Sequence, residues 1–194
     1  KFTDSPGESI RLANEAIEKS LFLDDSDPGA YVGLCMLNIM QRQHDKAIEA
    51  GKKAVALSPS GASAHSALAT ALNYAGRHDE AITFHRKAIA FNPFPPSIYF
   101  RNLGTAYRLS GRYEEAIAEY RKSLQKSPDD LFTNLGLTIC YVSLGREEEA
   151  RTEAVHVLRV HPEFSLAHFA KTLPYKNQWE IDYAIACLRK AGLK

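Results

Sequence analysis

Between Ser97 and Pro128 the apolar positions recur with a helical period, twice over. Phe100, Leu103, Gly104 and Tyr107 stand at i, i+3, i+4 and i+7, which places them on one face of a first helix. Gly111 ends that helix, since a left-handed terminal residue costs glycine no steric strain. Glu114 and Glu115 open a second helix at the end where acids suit the helix dipole. Ala116, Tyr120 and Ser123 form its apolar stripe, and Pro128 closes it. The same pattern returns along the chain. Pro59, Pro93, Pro128 and Pro162 are separated by 34, 35 and 34 residues. Ala47, Ala81, Ala116 and Ala150 occupy one position of the second helix, and Leu34, Leu68, Leu103 and Leu137 one position of the first. A helix pair of this length cannot bury its apolar face alone, so neighbouring pairs must stack.

Phe100-x2-Leu103-Gly104-x2-Tyr107, Ala116-x3-Tyr120 and Pro128 resemble the tetratricopeptide repeat. The resemblance implies an all-α fold: a TPR solenoid, a right-handed superhelix of antiparallel helix pairs, with eleven helices and no strand. A single TPR domain over 1–194 is expected. It consists of a leading half repeat at 5–25, repeats at 28–61, 62–96, 97–130 and 131–164, and C-terminal capping helices over 165–194. Asp27-Pro28 reads as a cap and first-turn proline. Gly76, Gly111 and Gly145 close the first helices of repeats two to four, whereas repeat one has Arg42 there, a strained residue if its φ is positive. The extra residue of the 35-residue interval falls in Phe94-Pro95-Pro96, read as a stiff, extended spacer. In the tail, Pro174 interrupts one helix; Ile181, Ala184, Ile185 and Leu188 face one way on the next, which stops at Gly192.

Charge sharpens this picture more than overall composition does. The first helices (28–41, 62–75, 97–110, 131–144) contain two charged residues, Arg101 and Arg108, while the second helices contain 21. One face of the stack is therefore charged and solvated, the other nearly neutral. The net charge of +1 argues against a nucleic-acid or membrane-surface partner. Lacking an apolar run of membrane-spanning length and a signal peptide, the sequence reads as cytoplasmic. It opens without Met and is expected to be a piece of a longer protein. Cys35, Cys140 and Cys187 read as buried reduced thiols.

Candidate chemistry is sparse. No phosphate-binding glycine motif or HExxH helix occurs, and no serine or cysteine has a base and orienting partner. No catalytic residue, cofactor or metal ligand is expected. His44 and His78 fall at the position of Tyr113 and read as packing residues; His65 and His85 are candidates for a polar pair inside repeat two.

A narrower resemblance comes from FSLAHFAKTLPYK followed by LRKAGL, and from NPFPPSIYFRNLGTAYRLSGRYEEAI. These are similar to the C-terminal repeat regions of bacterial proteins with a class III adenylate/guanylate cyclase domain, and to related regions of TolB-like regulators. The resemblance implies a non-catalytic segment of a larger bacterial signalling protein. Its first helices would line a concave groove for a protein, a peptide or a partner helix; the alternative is an intramolecular regulatory or homodimerising segment. The groove would present Val32, Met36, Ile39 and Met40 of repeat one, and Asn73 and Tyr74 of repeat two. Arg101, Asn102, Thr105 and Arg108 come from repeat three, and Phe132, Leu135, Ile139 and Val142 from repeat four. That layout suits a carboxylate-anchored ligand with apolar side chains. The clamp that holds chaperone tails needs Lys and Asn where Val32 and Met36 stand. The asparagine ladder of glycosyltransferase repeats is reduced to Asn102.

Overall fold

The computed structural model describes residues 6–194. Ser5, the expected start of the leading half repeat, lies outside the described residues. Eleven α-helices and no strand make up the described chain. They group into two compact units, one ending at Phe91 and the other spanning Asn92–Lys194. The division falls beside the Pro93-Phe94-Pro95-Pro96 connection that carries the extra residue.

In the first unit, α1 (Pro6–Leu23) is followed by α2 (Pro28–Met40) and α3 (His44–Leu57), then α4 (Ala62–Tyr74) and α5 (His78–Ala90). Asp27 caps α2 by accepting from the N–H groups of Gly29 (2.8 Å) and Ala30 (3.2 Å), with Pro28 in the first turn. The core forms where small residues let helices approach. Ala47, Ala54 and Ala81 are fully buried, and a Cβ on Gly51 would stand 2.9 Å from the Leu68 Cα. Leu68 and Leu72 fill the space between the pairs, each worth about 2 kcal/mol of apolar burial. By contrast, none of the described side chains of α1 is buried; Ile10, Ile17 and Leu21 are half-buried, and Phe22 and Leu23 are exposed.

The second unit contains α6 (Ser97–Leu109), α7 (Tyr113–Lys126), α8 (Leu131–Ser143), α9 (Glu147–Val160), α10 (Leu166–Thr172) and α11 (Gln178–Lys190). Tyr120 organises it. Its ring is fully buried and threads between two glycines: a Cβ on Gly104 would approach Cδ1 to 2.8 Å, and one on Gly136 would collide with the ring. Asp130 caps α8 through the Thr133 N–H at 2.8 Å. The tail closes on the unit's own residues. α11 packs on α8; Tyr183 Oη lies 2.8 Å from Ser143 Oγ, and Lys190 Nζ lies 3.1 Å from Glu147. The Leu166 N–H donates to the Lys194 carbonyl at 2.8 Å.

The turn chemistry follows the sequence closely. Gly76, Gly111, Gly145 and Gly192 have φ of 83°, 76°, 72° and 106°, and Arg42 occupies the same left-handed region at 57°. A side chain there costs about 1 kcal/mol relative to glycine. Pro174 lies just beyond α10, which stops at Thr172.

Candidate functional site

The first-helix face of unit one starts from an α2 without a charged residue. Met36 and Met40 project outward, 42% and 64% exposed, while Ile39 is buried and Val32 half-buried. On α4, Tyr74 is half-buried and Asn73 is buried, its Oδ1 2.9 Å from His78 Nδ1. Asn73 thus ties α4 to α5. A separate cavity of about 560 Å³ opens between α1, α2 and α3, lined by Asn14, Tyr31, Asn38 and Lys53 among others.

The first-helix face of unit two is more polar and more enclosed. Arg101 extends from α6 to Asp130 Oδ2 at 2.9 Å and lies 5.4 Å above the Phe132 ring. Phe132 is half exposed and tilts against Phe169 of α10, with centroids 6.2 Å apart. Thr105 and Asn102 are half-buried; Thr105 Oγ1 is 3.1 Å from Tyr120 Oη. Arg108, seven residues from Arg101, is only 7% exposed. Its Nε–H donates to Tyr120 Oη (3.4 Å) and its Nη2–H to Tyr175 Oη (3.2 Å). Burial pushes the Tyr120 phenol up to about 12, against the pull of Arg108, and raises Tyr175 as well. Both phenols are therefore neutral where Arg108 is charged. Ile139 and Leu135 are buried and Val142 half-buried. Beside Phe132, a cavity of about 670 Å³ is lined by Leu131, Val160, Phe164 and Phe169 with the imidazoles of His161 and His168.

Of the anticipated groove residues, Met36, Met40 and Phe132 are open; Tyr74, Arg101, Asn102 and Thr105 are partly open; Asn73, Arg108 and Ile139 are enclosed. Sequence reasoning missed Tyr175. The only sequence signal of it was an aromatic directly after Pro174. The anticipated His65–His85 pair does not form. His65 Nε2–H donates to the Pro59 carbonyl at 2.8 Å and the ring stacks on Phe84, while neither ring nitrogen of His85 has a hydrogen-bond partner. Cys35, Cys140 and Cys187 are buried free thiols, and burial pushes Cys35 and Cys140 up to about 12. Among the described residues no cluster of metal-ligating side chains occurs, and no helix is long and apolar enough to cross a membrane.

Comparison with known proteins fits this architecture. The chain is similar to the structure of PilW, a widely conserved type IV pilus biogenesis factor, at 21% identity and a TM-score of 0.77, over 95% of this chain and 82% of that one. A thermophilic TPR protein of Thermus thermophilus matches at 20% identity and a TM-score of 0.69, over 95% and 99%. YrrB, described as a TPR protein with an unusual peptide-binding site, matches at 20% identity and a TM-score of 0.62, over 91% and 90%. At such identities the likeness establishes the fold alone. No curated protein matches the sequence. One tetratricopeptide-repeat family model matches residues 107–172 and a second matches 40–96 and 67–130. Together these cover 40–172 without a break, and the chain belongs to the tetratricopeptide repeat family.

Proposed function

We propose that this chain is a non-catalytic protein-interaction module whose first-helix faces hold a peptide or partner helix. The observation that carries this reading is the segregation of charge, which leaves exposed apolar side chains on helices without competing charges. α2, α4 and α8 carry no Asp, Glu, Lys or Arg, yet Met36 and Met40 are exposed on α2 and Phe132 on α8. The second helices take the charge, with in-phase pairs such as Arg77–Glu80 and Arg112–Glu115 that contribute little to stability. Apolar side chains left open on a face without competing charges are what an amphipathic ligand needs. Unbranched methionines accept varied shapes. Arg101 supplies a cation for an acidic residue of the ligand, in exchange with Asp130.

The parent is read as a larger bacterial signalling protein of the cytoplasm, of the cyclase-type or TolB-like kind. Support for that comes from the tail and the NPFPPSIYF stretch of the sequence. An intramolecular role is the second reading, and the tail favours it, because Phe169 and Tyr175 already cover part of the α6–α8 face. Selection from a displayed peptide library separates the two. The interaction reading expects enrichment of amphipathic peptides with an acidic residue. No enrichment over bare support, by the full chain, would contradict it.

A further inference from the structure

Arg108 is a buried cation without a carboxylate. Among the described residues it forms no ion pair, and its hydrogen bonds go to two neutral phenols, Tyr120 at 3.4 Å and Tyr175 at 3.2 Å. Its neighbour on the same helix face, Arg101, is more exposed and has Asp130 at 2.9 Å. The order is the reverse of what desolvation favours. An exposed arginine needs a counter-charge little, whereas a buried one loses hydration that neutral oxygens restore only in part.

The two phenols differ in how they are held. Tyr120 is fixed between Gly104 and Gly136, and its hydroxyl also meets Thr105. Tyr175 arrives from a non-helical connection between α10 and α11, directly after Pro174, and is buried there. The helix that follows has its own attachments to α8 and α9, through Tyr183–Ser143 and Lys190–Glu147. Those attachments do not run through Tyr175.

We propose that Arg108, with the hydroxyls of Tyr120 and Thr105, is a subsite for a carboxylate of the partner peptide, and that Tyr175 is its built-in occupant, displaced when the partner binds. This rests on the interaction reading above and adds its regulation. A carboxylate forms charge-assisted hydrogen bonds with the guanidinium, about twice as strong as those to a neutral oxygen. The occupant lowers the apparent affinity by the fraction of molecules in which the subsite is open. The tail is thus a competitor set by the chain itself.

The test uses the full chain, the acidic peptides selected above and their Asp/Glu-to-Asn/Gln counterparts, with binding read by fluorescence anisotropy. Tyr175→Ala is expected to tighten the acidic peptides at least tenfold and leave the neutral set unchanged. Tyr175→Phe, which keeps the ring but not the contact to Arg108, should tighten them about threefold and serves if the alanine variant fails to fold. Arg108→Met added to Tyr175→Phe should abolish the gain. In the wild-type chain, peptide binding should raise hydrogen exchange over residues 173–177. Acidic peptides that bind with unchanged exchange there, or equally well to Arg108→Met, would overturn the subsite and leave the interaction reading standing. A chain that binds no peptide in any variant would overturn both.

Discussion

Repeats two and three put different side chains into the same slot, and their fates diverge. Position four after the recurring alanine is Tyr120 in repeat three and His85 in repeat two. Both are fully buried. The Tyr120 hydroxyl has Thr105 at 3.1 Å and Arg108 at 3.4 Å, so its polar atom is satisfied and its ring fills a slot between glycines. His85 offers two ring nitrogens, and neither finds a hydrogen-bond partner. Burial alone drives its pKa down to about 3. The repeat pattern specifies volume at this slot far more strictly than polarity. What the polar atom meets depends on residues elsewhere on the first helix, and that decides whether the repeat is indifferent to pH.

The largest expected effect comes from emptying the better-packed slot. Tyr120→Ala should destabilise the chain by about 4 kcal/mol, the cost of removing a buried aromatic, as measured by urea unfolding. A loss below about 1 kcal/mol would mean that the slot collapses freely and the ring is not its keystone. Next, Gly136→Ala should cost about 2 kcal/mol by overpacking against the same ring, and Tyr120→Leu in that background should recover part of it. If the alanine were harmless alone, the close approach would not constrain the sequence.

The histidine slot responds to acid instead. Unfolded imidazole takes up a proton near 6.5, whereas His85 in the fold refuses one until about 3. Its stabilisation is complete above about 6.5 and is lost as pH falls from there toward 3, because the unfolded chain binds more protons across that window. Lowering the pH from 7 to 5 should cost about 2 kcal/mol through this group alone, and His85→Phe should remove that share of the slope. Parallel pH profiles for wild type and His85→Phe would break the comparison. Arg42→Gly is the smallest: relief of its φ of 57° should raise stability by about 1 kcal/mol and slow hydrogen exchange in α2 and α3.

Much of the fold was legible because its signals are local and repeated. Helix ends followed from Gly76, Gly111, Gly145 and the Asp27-Pro28 cap to within a residue or two. The strained Arg42 turn was visible as a missing glycine. The seven-residue spacing of Arg101 and Arg108 was legible too, but not the burial of Arg108. One of its hydrogen-bond partners there is Tyr175, 67 residues away, and helical periodicity carries no information about contacts at that range. The His65–His85 pair failed for a related reason. Both positions point inward, yet His65 finds the Pro59 carbonyl on its own N-terminal side first.

The central claim, that the first-helix faces bind a partner, is tested most directly by calorimetric titration of a selected acidic peptide into the full chain and into Met40→Lys and Phe132→Glu variants. Met40 is largely exposed, so Met40→Lys should not lower the melting temperature by more than a degree or two, whereas Phe132→Glu also gives up the contacts with Phe169 and Arg101 and should lower it by a few degrees. The account predicts at least a tenfold loss of affinity in one variant or both, with folding intact. Unchanged affinity in both would place the binding surface elsewhere and contradict it.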